Sequence, residues 1–404
     1  MKPKIYLRIV LLCSVAINFL TADQAFCQQN GRVIDTNITS IKFQVSAAKD
    51  WTAVFNRQHG WIGADGIFGI PYNGIDKQQS SGTKTMLIFS DTSIGDIVDG
   101  KLTHDDGGAH NSIAMVTSRK PDEQHIKFSW KTDAKGKPDS YFSPHSPNSK
   151  PADFFWLGDG FVDPEAGDKT YIFAYRINTF GPGAWDFGTV GSALIMLPKG
   201  STPPFTDQQQ KDTPLYFPAS SADGAGSFGA GILANTAKAA VPHPDGYVYV
   251  YGVRGKTKKV LVARILPNEF ENFAAWRFWD GSGWNADMNK SAAIADRASD
   301  ELSVTPLADG RYLMVFETDG IGPTIGMRIG RSPAGPFGPI IKVWDCKDDL
   351  LTKSFYAYNA KAHPSISKPG ELIISYNINS FDWKNDFPRY PNLYHPRFIR
   401  VKLY

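Results

Sequence analysis

Five times along the chain, a turn rich in Gly, Asp or Pro leads into a short run of strongly β-forming residues and then a polar stop. Ser81-Gly82 precedes Met86–Phe89, Ala166-Gly167-Asp168 precedes Tyr171–Tyr175, and Pro244-Asp245-Gly246 precedes Tyr247–Tyr251. Ala308-Asp309-Gly310 then precedes Tyr312–Phe316, and Lys368-Pro369-Gly370 precedes Leu372–Tyr376. Successive runs are spaced by roughly 60 to 85 residues, too irregular for a strict solenoid but suited to blades with variable loops. The pattern predicts an all-β chain folded as a five-bladed β-propeller. An irregular β-sandwich is the rival, and the recurring unit argues against it.

Other segments fall into place around the five runs. Short stretches rich in Gly, Trp and small residues lie upstream: Trp61–Ile70, Phe154–Val162, Ser227–Ala234, Glu301–Pro306 and Ala357–Ile366. These are the expected inner strands, where crowding round an axis favours small side chains. Further β-type segments follow each run, such as Val260–Ile265 and Phe398–Leu403. Residues 31–55 and the C-terminal strand are expected to close the ring. Few stretches look helical, Asn272–Trp276 among them, and none is long. The boundaries drawn are a leader at 1–27, an N-terminal segment at 28–50 and one propeller domain at 51–404.

The leader reads as an export signal. Lys2, Lys4 and Arg8 precede an apolar run, Ile9–Ile17, extended to Phe19-Leu20, and Ala25-Phe26-Cys27 offers a cleavage site. The run is short for a membrane span. A lipid anchor at Cys27 is disfavoured because bulky Phe26 precedes it, so cleavage before Gln28 and a periplasmic or secreted protein are expected. Of the three cysteines only Cys346 then remains, which excludes an internal disulfide and puts stability on a large core. Loss of three bases and one acid (Asp23) takes the net charge from +3 to about +1. No basic block points to nucleic acid or an anionic membrane. Aromatic residues make up 13% of the chain, a composition that leans towards sugar rings, whose apolar faces stack on such side chains.

Two short carboxylate motifs flank the first run: Gly63-Ala-Asp-Gly66 and Phe89-Ser-Asp-Thr92. Glycoside hydrolysis needs two carboxyl groups across one sugar bond, one giving a proton and the other serving as base or nucleophile. Asp65 and Asp91 are the candidate pair, although Asp-Gly is by itself commonly a turn. Asp65, among small neighbours, is expected to be the base or nucleophile. Asp91 follows apolar Met86–Phe89, so desolvation is expected to make it the proton donor. Asp159 and Glu301 sit at blade starts, to orient a hydroxyl or tune a pKa, or else as a turn Asp and an edge-strand Glu. His110, Asn111 and His363 are candidate sugar hydrogen-bond partners or packed polar groups. Trp61 and Trp156 are stacking surfaces or core residues.

Other chemistries find no support. Gly224-Ala-Gly-Ser-Phe-Gly229 matches a dinucleotide fingerprint in letters but lacks the preceding apolar strand and following helix. No metal-ligand spacing of His or Cys and no Gly-x-Ser-x-Gly elbow occurs. No cofactor and no metal is expected.

Taken in order, the motifs resemble the endo-D-arabinanase family of glycoside hydrolases. The resemblance covers about residues 50–402. Besides the two aspartate motifs it rests on His110-Asn-Ser112, Asp245–Gly252 with Leu261-Val-Ala-Arg264, Glu301-Leu-Ser-Val304, Ser332–Phe337, and His363-Pro364 with Ser375-Tyr-Asn377. It implies a five-bladed propeller whose two essential aspartates fall on Asp65 and Asp91, and cleavage of internal α-D-arabinofuranosyl linkages. Ala64 and Ser90 stand where glycines are usual, and the segment Tyr72–Gly82 is longer than typical. The alternatives are another furanosidase or arabinanase of propeller fold and a non-catalytic glycan-binding propeller.

Overall fold

In the computed structural model, which describes residues 36–78, 83–183 and 185–404, the five runs become the second strands of five antiparallel sheets arranged as propeller blades. The export-signal reading, residues 1–27, lies outside the described residues. Blade 1 is Phe68–Pro71, Thr85–Phe89, Ser112–Val116 and Ile126–Ser129. Blade 2 is Phe154–Asp163, Lys169–Thr179, Phe187–Leu197 and Gln209–Thr213. Blade 3 is built on Gly226–Asn235, Tyr247–Arg254 and Lys259–Ile265, with shorter strands at its margins. Blade 4 is Leu302–Pro306, Tyr312–Glu317, Thr324–Gly330 and Ile341–Asp345. Each second strand is buried along its whole length or nearly so, because both of its faces pack on neighbouring sheets.

Blade 5 joins the two ends of the chain. Phe355–Ala362, Glu371–Ser380 and Arg397–Leu403 are completed by Phe43–Ala47, whose register runs from Phe43 opposite Leu403 to Ala47 opposite Ile399. A boundary at residue 51 therefore cuts off a propeller strand. The expected helix at Asn272–Trp276 is a single 3-10 turn, Phe273–Ala275. A three-stranded sheet, His59–Ala64 with Thr92–Val98 and Lys101–Ala109, lies outside the blades, so only the last part of Trp61–Ile70 is an inner strand.

Three inner strands carry a bulge at the same level. Register shifts fall between Leu157 and Gly160 in blade 2, Phe228 and Gly231 in blade 3, and Tyr358 and Lys361 in blade 5. A bulge leaves a residue out of the ladder and re-aims its side chain. Asp159 is released in this way and accepts the Ile232 N–H of the next blade at 2.6 Å. Asn359, at φ 60°, reaches blade 4 and donates through Nδ2 to Glu301 Oε1 at 2.9 Å. Side chains thus link blade to blade round the axis, where no ladder hydrogen bonds can.

Candidate active site

The inner strand of blade 1 starts just after Asp65, and its second strand ends just before Asp91, so the blade delivers both aspartates to one end of the ring. Backbone hydrogen bonds fix them side by side. The Asp65 N–H donates to the Asp91 carbonyl at 3.1 Å, and the Ser90 N–H donates to the Asp65 carbonyl at 2.9 Å. Gly66 adopts φ 64°, where a side chain is strained, and a Cβ there would lie 2.6 Å from Ser90 Oγ. Ser90 has its own task in place of the usual glycine: its Oγ accepts the Leu157 N–H at 2.9 Å, tying blade 1 to blade 2.

The two carboxyl groups sit in opposite environments. Tyr358 donates its hydroxyl to Asp65 Oδ2 at 2.7 Å, and Tyr394 also hydrogen-bonds this carboxyl. Burial raises the Asp65 pKa to about 8, helped by the charge of Asp91 and, further off, of Glu301; the two tyrosines only partly oppose this. Asp91 is open to solvent, with 39% of its side chain exposed, and its Oδ1 lies 2.8 Å from His110 Nδ1. The expectation that Met86–Phe89 desolvates Asp91 is therefore corrected. Those apolar residues face the core, but the chain turns at Ser90 and leaves Asp91 outside.

Around this pair stand two aromatic flanks. On the blade 2 side, His110 stacks on Phe154 (3.8 Å between centroids, 17° between planes), Phe154 meets Trp156 at 6.1 Å, and Trp156 meets Phe187 edge-on at 5.0 Å. On the blade 5 side, Tyr358 lies 5.3 Å from Tyr356, which lies 4.4 Å from Phe381. Glu301 is buried beneath them, ion-paired to the buried Lys361. Burial raises the Glu301 pKa, and Lys361 pulls the other way.

The structure thus brings Asp65, Asp91, His110, Trp156 and Glu301 together, and sets four other candidates apart. Trp61 is 1% exposed in the core against Phe89 and Phe128, its Nε1 donating to Ser112 Oγ at 3.2 Å, so it offers no face to a sugar. Asn111 is fully buried and spends its amide on the backbone: Nδ2 donates to the carbonyls of Phe142 (2.8 Å) and Phe155 (3.3 Å), and Oδ1 accepts the Phe142 N–H (2.8 Å). His363 is buried with Nε2 2.7 Å from Ser375 Oγ, and burial holds its pKa down at about 3, so the ring is neutral. Asp159 lines a deeper cavity of the axial channel with Asp76; its pKa is raised to about 8, chiefly by burial, against two backbone N–H donors. Among the described residues no group of His, Cys, Asp or Glu is arranged to hold a metal ion, and no helix is long and apolar enough to cross a membrane.

Sequence reasoning missed Tyr358, Tyr394, Asn359 and Lys361. The signal for three of them is the run Phe355-Tyr-Ala-Tyr-Asn-Ala-Lys-Ala362, where polar residues interrupt an inner strand. Tyr394 sits in a 3-10 turn with no pattern of its own. Its closeness is nonetheless written in Gly63, where a Cβ would lie 2.7 Å from the Tyr394 backbone.

Residues 48–404 match the family described as Domain of unknown function (DUF5005), and the chain belongs to that family. The family carries no activity in its description, so endo-D-arabinanase remains only what the motif order resembles. No curated protein sequence matches the chain. Among solved structures, a protein of Bacteroides ovatus ATCC 8483 described as a candidate hydrolase aligns at TM-score 0.67 and 18% identity, over 96% of this chain and 97% of its own. The GH43_1 enzyme of Xanthomonas citri aligns at TM-score 0.43 and 14% identity, over 86% of this chain and 89% of its own. At these identities the likeness is one of fold.

Proposed function

We propose that this member of the family is a glycoside hydrolase in which Asp65 is the proton donor and Asp91 the base or nucleophile. One observation carries the reading: a buried carboxyl that holds its proton to about pH 8 is hydrogen-bonded, backbone to backbone, beside a carboxylate open to solvent. Environments that push two neighbouring carboxyl groups apart assign the acid and the base. This exchanges the roles expected from sequence, because Asp65 and not Asp91 is the desolvated member. Tyr358 and Tyr394 keep their hydroxyl protons, burial raising both well above the usual tyrosine range, and they hold Asp65 in place through donation. His110, stacked on Phe154, orients Asp91.

The substrate we favour is a chain of arabinofuranosyl units, with α-linked D-arabinan first in a panel that includes L-arabinan, xylan and galactan. A glycan-binding propeller without catalysis would have no use for a proton-holding carboxyl beside a free one. The test pairs Asp65→Asn and Asp91→Asn on the polymer and on an aryl glycoside with a good leaving group. Loss of a positioned acid costs ~10² to 10⁴ in rate on the polymer, and the activated substrate needs little acid help. The aryl glycoside should therefore rescue Asp65→Asn far more than Asp91→Asn. Equal rescue, or rescue of Asp91→Asn alone, would remove the role assignment. Activity within about tenfold of wild type in either variant, short of that cost, would remove the pair itself.

A further inference from the structure

The two aromatic flanks of the site do not end separately. Trp185, on the connection that follows Thr179 in blade 2, lies 6.2 Å from Phe187 and 5.8 Å from Phe381 of blade 5. Blades 2 and 5 are not neighbours, because blade 1 with both aspartates stands between them. The Trp185–Phe381 contact therefore spans the mouth in front of blade 1. It closes an unbroken circuit of side chains that runs from Asp65 through Tyr358 to Phe381, across to Trp185, and back through Trp156 and His110 to Asp91. Three residues further down the inner strand of blade 5, the buried Lys361–Glu301 pair lies beneath the ring.

We infer that this ring makes the site a pocket for the terminus of a glycan chain, so that the enzyme removes units from chain ends. The inference rests on the glycosidase reading and departs from the internal cutting that the sequence resemblance implies. A chain cut internally must lie in a groove open at both ends, whereas a closed ring with a filled floor admits a strand end-on. Two features mark the ring as built for a ligand. Trp185 and Phe381 are each 54% exposed at its rim and Phe180 beside them 67%, an aromatic area that soluble proteins seldom leave open. Trp156 Nε1–H is buried and finds no acceptor among the described residues, a vacancy that a sugar hydroxyl satisfies. The turn carrying Trp185 is pinned by Asp186, whose Oδ2 accepts the Gly183 N–H at 2.8 Å, so the rim is preformed.

The experiment follows D-arabinan digestion by reducing-end release and by viscosity together. End-on attack yields mono- or disaccharide from the first minutes with little fall in viscosity; a ladder of longer products with early viscosity loss overturns the pocket. Trp185→Ala should raise KM for arabino-oligosaccharides about tenfold, the worth of one stacked ring, and by less for an aryl monoglycoside. Leu266→Ala, an exposed apolar residue away from the site, should change neither. An unchanged KM in Trp185→Ala also overturns the proposal. If the wild type cleaves no glycan, the glycosidase reading falls separately. Tryptophan fluorescence titrated with the same oligosaccharides then decides the pocket: a shift lost in Trp185→Phe supports it, and no shift in the wild type refutes it.

Discussion

Replacing Asp65 by Asn should make the protein inactive and, above acid pH, more stable. The carboxyl titrates at about 8 in the folded protein against an ordinary 3.8. Between these values the native state keeps a proton that the unfolded chain has released, so this group makes stability fall as pH rises. At ~1.4 kcal/mol per unit, moving from pH 5 to pH 8 costs the wild type nearly 4 kcal/mol through Asp65. The site opens to solvent at its mouth, and screening there cuts the figure to about 2 kcal/mol. Asn has no such titration and still offers an oxygen to Tyr358. Urea unfolding of both proteins at pH 5 and pH 8 is the assay, with stability taken from linear extrapolation. The Asn variant should gain about 2 kcal/mol on wild type across that interval. A difference that stays constant with pH, or shrinks as pH rises, would refute the account of Asp65 as a desolvated acid.

Three further substitutions separate framework from site. Asn111→Ala should cost about 2 to 3 kcal/mol in urea unfolding, because it strands three buried backbone groups of Phe142 and Phe155. Trp61→Phe should lower stability by about 1 to 3 kcal/mol through lost core volume while leaving KM unaltered, the opposite of what a stacking platform would show. Lys361→Met should be the most damaging of these, about 3 to 5 kcal/mol, since it leaves Glu301 buried without its cation; Glu301→Gln should be milder, and stability curves for the two variants check the order.

The blades were legible in the sequence because burial on both faces demands unbroken β-branched and aromatic runs, and turns must break them. Met86–Phe89 and Tyr247–Tyr251 are of that kind, and no helix pattern competes with them. The aspartate pair was legible because two motifs flank one such run, so one strand carries them to the same end of the ring. Their roles were not. Whether Asp65 or Asp91 loses water depends on Tyr358 and Tyr394, which arrive from residues nearly 300 positions away. Trp61, Asn111 and His363 misled for a related reason: each is a polar or aromatic group whose partners (Ser112, Phe142, Ser375) are supplied by neighbouring strands, and only the fold shows those needs already met. Bulges such as the one that frees Asp159 leave no mark beyond a glycine beside them.

The pairing of Phe43–Ala47 with Arg397–Leu403 has a bearing on how the molecule is made. The first strand of the ring finds its partner only when the last has been synthesised, a separation of more than 350 residues. Contacts so remote in sequence slow folding, because the entropy of closing the loop is lost before the contacts reward it. Until then Glu371–Ser380 and Arg397–Leu403 form a sheet with an open edge, the kind of surface on which chains associate wrongly. Ring closure is thus the late step, and the yield of folded protein should depend on the interval during which that edge stays uncovered.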